Sequence, residues 1–286
     1  MAKIRVGYLG VDQFTFGYMA MSQYFTGRTI ESVKHNTHAD ICESVGNKKV
    51  KLGVVAIENT LDGMVPETAR AMERADRRFG VKILGEFILP IKLYYANSSG
   101  NPTDAKKVLS HPSALGQCSY FVRKLWDQGV SNESRSSTSE AAKEASANGS
   151  IAVLSSIEAI KHYNLKLLEE KSITNHESSA TRFWIIGKEH AKRTGDDKTC
   201  FLVSLDQQKV GSLYKTFGVF AETGVNVYVI YPISIFGKQW EYTFMIEVKG
   251  HIDDAPIKKA CESFETLGIA LHGMQFLGSY PNKSDL

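Results

Sequence analysis

Short apolar runs alternate with amphipathic stretches along the first two thirds of the chain. Runs of strand length occupy residues 4–9, 52–57 and 183–186, and residues 16–24 carry apolar side chains at helical spacing. Alternating strands and helices are typical of an α/β domain with largely parallel sheets, which we predict over residues 1–187. Further strands are predicted at 81–96, 108–109 and 151–154, and further helices at 65–75, 112–126, 138–147 and 157–163.

The pattern changes at a polar, charged stretch, "KEHAKRTGDDK", which lacks apolar periodicity and predicts a linker over residues 188–198. The order of elements after the linker, βαββαβ, is typical of a ferredoxin-like module. The sequence therefore predicts a second, α+β domain over residues 199–286. Its strands are predicted at 199–205, 227–231, 242–248 and 273–278, and its helices at 211–223 and 255–267.

Composition places the chain among ordinary globular proteins. Of its 286 residues, 43% are hydrophobic and 23% are charged, and the net charge of +3 is too small to indicate a nucleic-acid partner. The first residues form a strand-like run with charges inside it, which predicts neither a signal peptide nor a membrane span. The four cysteines lie far apart, and the eight histidines lack metal-ligand spacing. We therefore predict a cytoplasmic protein with reduced thiols and no metal.

Glycine, hydroxyl and amide residues follow several predicted strands at the point where the strand ends. Loops at that position bind ligands in open α/β sheets, and helix N-termini present free N–H groups to anions. The same residue types are also ordinary helix N-caps, so both interpretations stay open. The residues are Gly10 and Thr15 in "YLGVDQFTFG", Glu58, Asn59, Thr60 and Gly63 in "VVAIENTLDGMV", Ser110, His111 and Ser113 in "VLSHPSALGQC", and Ser137, Thr138 and Ser139 in "SSTSEAA".

The stretch "NHESSATRFWIIG" changes from polar to apolar in its middle, where Thr181 and Arg182 precede the run that begins at Phe183. A strand that begins with a hydroxyl and a guanidinium is either a structural edge or the rim of a site for an acidic molecule. Successive side chains of a strand point to opposite faces, so Thr181 and Arg182 do not both face one cleft. We expect Thr181 to face the cleft and Arg182 to act through an ion pair between two lobes.

Five motifs in this order resemble the prephenate dehydratase family: "AIENTLDGMVPET", "SHPSALGQC", "SSTSEAAKEA", "IAVLSS" and "SATRFWIIG". The segments "KVGSLYKTFGVFAETGVNV" and "WEYTFMIEVKGH" resemble the ACT module that usually follows it. The resemblance covers nearly the whole chain. It implies an α/β catalytic domain with two lobes like a periplasmic binding protein, a cleft between the lobes, and a C-terminal βαββαβ ACT domain.

The resemblance also implies an activity and site residues. The family converts prephenate to phenylpyruvate, with loss of carbon dioxide and water and without a cofactor. The threonine tied to loss of the ring hydroxyl corresponds to Thr181, and we expect Glu58 and Asn59 to take part in catalysis. Expected substrate contacts are Gly10, Thr15, Thr60, Gly63, Ser113, Arg182 and Phe183, and expected effector contacts are Gly211, Ser212, Leu213 and Asn226.

Two motifs depart from the family pattern. The first family motif reads approximately Gly-Pro-x-Gly-Thr-Phe-Ser, whereas this chain has "GVDQFTFG", which aligns from Gly10 only with one inserted residue. The effector element Glu-Ser-Arg-Pro corresponds to Tyr231-Pro232-Ile233-Ser234, which lacks the acid and the guanidinium. The resemblance therefore implies a small-molecule acid as substrate and leaves an amino-acid effector open. ACT modules commonly pair, so a homodimer or homotetramer is expected.

Three functions follow from these observations. The first is a prephenate dehydratase, or an arogenate-tolerant one, acting in phenylalanine biosynthesis. The second is a remodelled paralogue that acts on prephenate or a related cyclohexadiene acid, for example by decarboxylation without aromatisation, which the altered first motif favours. The third is a non-catalytic sensor of a carboxylate metabolite. The presence of Glu58, Asn59, Thr181 and Arg182 favours the dehydratase.

Overall fold

The computed structural model describes residues 3–206, 209–235, 237–268 and 270–283, without the side chains of residues 271 and 272. The first lobe contains β1 (Ile4–Leu9), α1 (Phe16–Tyr24), β2 (Ile30–His35), α2 (His38–Gly46), β3 (Leu52–Asn59), β4 (Gly63–Met64), α3 (Pro66–Phe79) and β5 (Lys82–Pro90). The second lobe contains β6 (Tyr94–Asn97), a 3₁₀ turn (Pro102–Asp104), β7 (Lys107–Ser110), α4 (Pro112–Gln117), α5 (Ser119–Asp127), β8 (Ser131–Ser134), α6 (Thr138–Ser146), β9 (Ile151–Ser155), α7 (Ile157–His162) and β10 (Lys166–Leu167).

The chain then returns to the first lobe with one long strand, β11 (Ala180–Gly187). The first sheet has the order β2-β1-β3-β11-β5, with β4 beside β3. Strands β2, β1 and β3 are parallel, but β11 is antiparallel to both β3 and β5. The prediction of largely parallel sheets was therefore wrong for β11 and, in the second sheet, for β6 and β10. Because β11 runs back from the second lobe, its first residues lie beside the last residues of β3.

The second sheet has the order β10-β6-β9-β7-β8, in which β7 is parallel to β8 and β9 while the other pairs are antiparallel. Two chain crossings connect the sheets, one from β5 to β6 and one from β10 to β11. The expectation of two α/β lobes is confirmed. One apolar cluster contains Val54 and Ile185 of the first lobe and continues to Val108 and Leu154 of the second, and a separate cluster around Leu109 and Val153 lies within the second lobe.

Some elements differ from the sequence prediction. Strand β2 and helix α2 were not predicted, because β2 is a half-exposed edge strand without an apolar run. Helix α2 begins at a capping box in which Thr37 and Asp40 exchange hydrogen bonds with each other's backbone N–H groups. The helix predicted at 112–126 is two helices that meet at Cys118. The strand predicted from 183 begins three residues earlier, at Ala180.

The C-terminal domain contains β12 (Asp197–Leu205), α8 (Ser212–Glu222), β13 (Val227–Ser234), β14 (Tyr242–Lys249), α9 (Ala255–Leu267) and β15 (Ala270–Pro281). Its sheet has the order β13-β14-β12-β15 and every pair is antiparallel. The βαββαβ order with this strand arrangement is the ferredoxin-like topology. Strand β12 begins at Asp197, inside the predicted linker. The Asp197 carboxylate accepts hydrogen bonds from the N–H groups of Thr194 and Gly195 and so closes the turn that precedes the strand.

One face of the C-terminal sheet packs on α8 and α9, and the other face packs on the first lobe. Leu202, Met245 and Leu277 share one buried cluster with Ile57 and Trp184 of the first lobe. A shared apolar core of this kind fixes two domains more firmly than a polar interface does.

The two domains also approach closely through their backbones, where β15 crosses β5. A Cβ atom added at Gly278 would lie 2.3 Å from the Ile83 carbonyl oxygen, so only glycine fits there. The C-terminal domain is therefore docked on the first lobe.

All four cysteines, Cys42, Cys118, Cys200 and Cys261, carry free thiols. Burial raises the pKa of the Cys42 and Cys118 thiols to about 12, so both stay protonated at neutral pH. Across the described ranges, helices long and apolar enough to cross a bilayer are absent.

Candidate active site

A cavity of about 910 Å³ lies between the two lobes. The first lobe contributes the β1–α1 loop, the start of α2, the end of β3 and the start of α3. The second lobe contributes the starts of α4 and α6, and Thr181 and Phe183 of β11 form part of the wall. This volume is in the range of small-molecule sites. Groups of three or more His, Cys, Asp or Glu side chains able to hold a metal do not occur among the described residues.

The cavity lies at the N-terminal ends of four helices of nine or more residues. The N-cap residues of α1, α2, α3 and α6 all line it; they are Thr15, Thr37, Val65 and Ser137. Helix N-termini carry partial positive charge and unpaired N–H groups, which favour anions. Ser137 of "SSTSEAA" both caps α6 and lines the cavity, so the two sequence interpretations do not exclude each other.

Two cationic side chains add to this positive field. Arg70 and Arg74 are one helical turn apart on α3 and both line the cavity. Two carboxylates, Asp62 and Glu67, line it as well. The Asp62 carboxylate is already engaged with hydrogen-bond donors of the second lobe.

Thr181 and Asn59 form a hydrogen-bonded pair at the wall of the cavity. They are cross-strand partners of β11 and β3, and Asn59 Nδ2 donates to Thr181 Oγ1 at 2.9 Å. The N–H groups of Leu61 and Asp62 both donate to Asn59 Oδ1, at 2.8 and 3.2 Å, which fixes the amide with its nitrogen toward Thr181. Among the described residues no acceptor takes the Thr181 hydroxyl proton, so it is free for a bound molecule.

Five other predicted site residues also line the cavity; they are Gly10, Thr15, Gly63, Ser113 and Phe183. Gly10 has a φ of +141°, and a Cβ added there would lie 2.3 Å from Thr15 Oγ1, so this turn requires glycine. The Thr15 hydroxyl donates to the Leu9 carbonyl oxygen at 3.1 Å and caps α1. The structure thus brings seven predicted residues together around one space.

Two carboxylates of the first lobe cross the cleft to the second lobe. Asp62 Oδ2 accepts hydrogen bonds from Ser113 Oγ at 2.6 Å and from Gln117 Nε2 at 2.9 Å. Asp12 Oδ2 accepts from Ser139 Oγ at 2.5 Å and from the Tyr163 hydroxyl at 3.3 Å. These bonds hold the lobes in the arrangement that encloses the cavity.

The loop with the altered first motif is the one that carries Asp12. Its Phe14 ring stacks on the His162 ring of the second lobe, with ring centroids 4.0 Å apart. The loop at residues 10–16 therefore both lines the cavity and contacts the opposite lobe.

Three residues expected at the site lie outside the cavity. The expected substrate contact of Arg182 was wrong: its side chain, 9% exposed, points to the other face of the sheet. There it forms ion pairs with Glu58, Glu86 and Glu247, at 2.8, 3.3 and 2.7 Å. Glu247 belongs to the C-terminal domain, so this ion pair connects two domains and not the two lobes.

Glu58 and Thr60 were likewise expected at the site, and both have other partners. Glu58 faces away from the cavity because it is the cross-strand partner of Arg182. Thr60 Oγ1 accepts from the Ala180 N–H at 3.0 Å and joins the ends of β3 and β11. Strand alternation explains both placements, since Asn59 between them has the inward position.

Sequence reasoning missed several residues of the cavity and its rim. Asp62, Gln117 and the pair Arg70 and Arg74 were not singled out, although the spacing of the two arginines places them on one helix face. Asp12 could not be identified from the neighbouring sequence, because its partners Ser139 and Tyr163 are 127 and 151 residues away.

The chain and its fold match known proteins. The family model for prephenate dehydratase matches residues 6–191. The bifunctional chorismate mutase/prephenate dehydratase of Aquifex aeolicus is 32% identical, covering 98% of this chain and 74% of that protein. Prephenate dehydratase of Methanocaldococcus jannaschii is 32% identical, covering 86% of each chain. The structure of Arthrobacter aurescens prephenate dehydratase in complex with L-Phe superposes with a TM-score of 0.83 at 25% identity, covering 98% of this chain and 90% of that one. This chain therefore belongs to the prephenate dehydratase family.

Proposed function

We propose that this protein is a prephenate dehydratase, a carbon–oxygen lyase that forms phenylpyruvate in phenylalanine biosynthesis. The observation that carries the proposal is the Thr181 hydroxyl in the cleft. It accepts a hydrogen bond from Asn59 and keeps its own proton for a bound molecule. The starts of four helices provide the anion-binding surroundings that a dicarboxylate substrate requires.

The reaction breaks two bonds of prephenate. The ring carboxylate leaves as carbon dioxide, and the electron pair of the broken C–C bond enters the ring. The ring then becomes aromatic as the C–O bond of the doubly allylic hydroxyl breaks, and the departing hydroxide takes up a proton to become water. Thr181 donates a hydrogen bond to the departing oxygen, where negative charge develops.

Asn59 makes Thr181 a better donor. The chain of hydrogen bonds runs from the N–H groups of Leu61 and Asp62 through the Asn59 amide to Thr181 Oγ1. Hydrogen bonds in such a chain polarise one another, and a donated bond stabilises negative charge on the threonine oxygen. We therefore assign Thr181 and Asn59 as the catalytic pair. Gly10, Thr15, Gly63, Ser113 and Phe183 form the substrate-binding wall.

The product formed from prephenate tests this proposal. Purified protein is incubated with prephenate at neutral pH, and the mixture is analysed by ultraviolet absorbance and mass against an enzyme-free control. Phenylpyruvate is the expected product. A decarboxylated, non-aromatic product would support a remodelled paralogue, and unchanged prephenate would support a carboxylate sensor. The control is needed because prephenate aromatises unaided in acid.

We propose that the C-terminal domain, residues 199–286, is an ACT module that forms a homodimer or homotetramer. Strand β13 is an edge strand, and α8 has exposed apolar side chains, with Tyr214 81% exposed beside Leu213 and Phe217. Such a patch favours association. Light scattering at micromolar concentration should give the mass of a dimer or tetramer, and a Tyr214→Lys variant should shift it toward the monomer. A monomeric wild-type protein would contradict this assignment.

The four free thiols favour the cytoplasm as the location of this protein.

We predict that L-phenylalanine is a weak effector of this protein or none. The pocket expected from the resemblance contains Gly211, Ser212, Leu213 and Asn226 together with the stretch 231–234. In that stretch the Tyr231 hydroxyl donates to Glu58 and the Ile233 side chain is buried against the first lobe. Leaving the charged groups of an amino acid without polar partners costs several kcal/mol, comparable to the roughly 4 kcal/mol of a millimolar complex. Calorimetric titration with L-phenylalanine, together with activity assays at millimolar effector, decides this, and submillimolar binding with clear inhibition would refute the prediction.

A further inference from the structure

A buried ionic network connects the C-terminal domain to the strands that carry the catalytic pair. Glu247 Oε2 lies 2.7 Å from Arg182 Nη1, and the Tyr280 hydroxyl donates to Glu247 Oε1 at 2.7 Å. The Tyr231 hydroxyl donates to Glu58 Oε1 at 2.7 Å. Arg182 Nη2 lies 2.8 Å from Glu58 Oε2, as an ion-pair contact. Both oxygens of Glu58 thus have partners.

This network lies directly behind the catalytic pair. Glu58 and Arg182 are cross-strand partners, and so are the next residues toward the cleft, Asn59 and Thr181. The first pair faces the C-terminal domain and the second pair faces the cavity, because adjacent residues of a strand point to opposite faces. A backbone displacement at the outer pair is therefore shared by the inner pair.

At this point β11 has a regular pairing on one side only. Its register with β5 is unbroken from Ala180 to Ile185, whereas its register with β3 shifts between Arg182 and Phe183, one residue from Thr181. Bulges re-aim neighbouring side chains and interrupt the ladder that would hold them. The ion pair between Arg182 and Glu58 therefore helps to set where β11 lies relative to β3, and the hydrogen bond from Asn59 to Thr181 depends on that placement.

Two of the anchoring groups, Arg182 and Tyr231, stay protonated at neutral pH. Burial disfavours the charged guanidinium, but Glu247 and, to a lesser extent, Tyr280 and Glu58 outweigh this effect, and the pKa of Arg182 is raised above its ordinary value. Burial and the hydrogen bond to Glu58 raise the pKa of Tyr231 to about 12. The Tyr231 hydroxyl therefore stays protonated and donates to Glu58.

We propose that Tyr231 and Glu247 of the C-terminal domain are positioning residues of the active site. They fix Glu58 and Arg182, and through them they set the hydrogen bond from Asn59 to Thr181. The role in catalysis rests on the proposed dehydratase function, whereas the positioning itself does not. The stretch that corresponds to the effector element thus has a second use in this chain, as a support of the site.

A Tyr231→Phe variant tests this proposal, because it removes the hydroxyl and keeps the ring in the shared core. We expect kcat for prephenate to fall about 3- to 10-fold, the factor that corresponds to one hydrogen bond, with KM within about twofold. The matched control is Tyr228→Phe, which removes a hydroxyl from the same strand and keeps the ring that lies over Lys198, so the pairing of Lys198 with Glu86 is left in place. The control should keep the wild-type kcat.

A double-mutant cycle shows whether Tyr231 acts through Glu58. In a Glu58→Ala background, Tyr231→Phe should lower kcat by less than about twofold, because Glu58→Ala has already removed the carboxylate that accepts from the Tyr231 hydroxyl. Equal effects of Tyr231→Phe in both backgrounds would overturn the proposed route.

The second readout is the side-chain amide signal of Asn59 in ¹⁵N NMR, assigned by its loss in Asn59→Ala. We expect this signal to shift in Tyr231→Phe and not in Tyr228→Phe. An unmoved signal would overturn the proposal, whatever happens to kcat. If the wild-type protein forms no phenylpyruvate while the signal still shifts, the proposed activity fails and the positioning stands.

Discussion

Replacing Thr181 by valine should lower the turnover of prephenate by about 10²–10⁴-fold, the usual effect of losing one positioned proton donor. Valine has nearly the same shape, so the wall of the cavity stays intact and KM should change little. The cause is specific to this hydroxyl, since Asn59 Nδ2 donates to its oxygen and its proton is left for the departing group. Steady-state kinetics with phenylpyruvate as the measured product provides both parameters.

Thr181→Ser is the matched control, because it keeps the hydroxyl and removes only the methyl group. It should retain much more activity than the valine variant. Serine has more rotamers than threonine, so some loss is expected when the hydroxyl is less fixed. A Thr181→Val variant with near-normal kcat would contradict the catalytic assignment of Thr181.

The local sequence pattern was sufficient to predict the elements in which apolar residues recur with a single period. Strand β1 and helix α9 have the predicted bounds, because apolar residues alternate or recur at helical spacing along their whole length. Strand β2 was not predicted, since an edge strand is half exposed and carries polar residues at most positions. The direction of β11 could not be derived from its own residues, because it follows from the path of the chain through the second lobe.

The same contrast holds for the site. Features set by adjacent residues were predicted, and features set by residues distant in sequence were not. Asn59 and Thr181 were predicted from strand ends, and strand alternation separated Thr181 from Arg182. The partners of Arg182 were not predicted correctly, because Glu247 is 65 residues away and in another domain. The apolar residues that follow Arg182 indicate that its guanidinium is buried. Which carboxylate pairs with it depends on how the C-terminal domain docks on the first lobe.

Replacing Arg182 by methionine should lower the free energy of unfolding by about 3–5 kcal/mol, as expected when one partner of a buried ion pair is removed. Three carboxylates meet this guanidinium, and two of them, Glu86 and Glu247, are fully buried with side chains 0% exposed. Methionine fills much of the volume and provides no charge, so Glu247 loses its ion-pair partner inside the interface. Glu86 is affected less, since Lys198 Nζ lies 2.9 Å from it.

Urea unfolding measures this loss, and Arg5→Met is the control. The Arg5 side chain pairs with Glu31 at 3.0 Å, but both side chains are about half exposed. Exposed pairs contribute about 0–1 kcal/mol, so the control should unfold close to the wild-type midpoint. Because Glu247 belongs to the C-terminal sheet, Arg182→Met should also loosen the docked domain and increase cleavage of residues 188–196 by trypsin. Wild-type stability and wild-type cleavage of the Arg182 variant would show that the shared apolar core alone holds the two domains together.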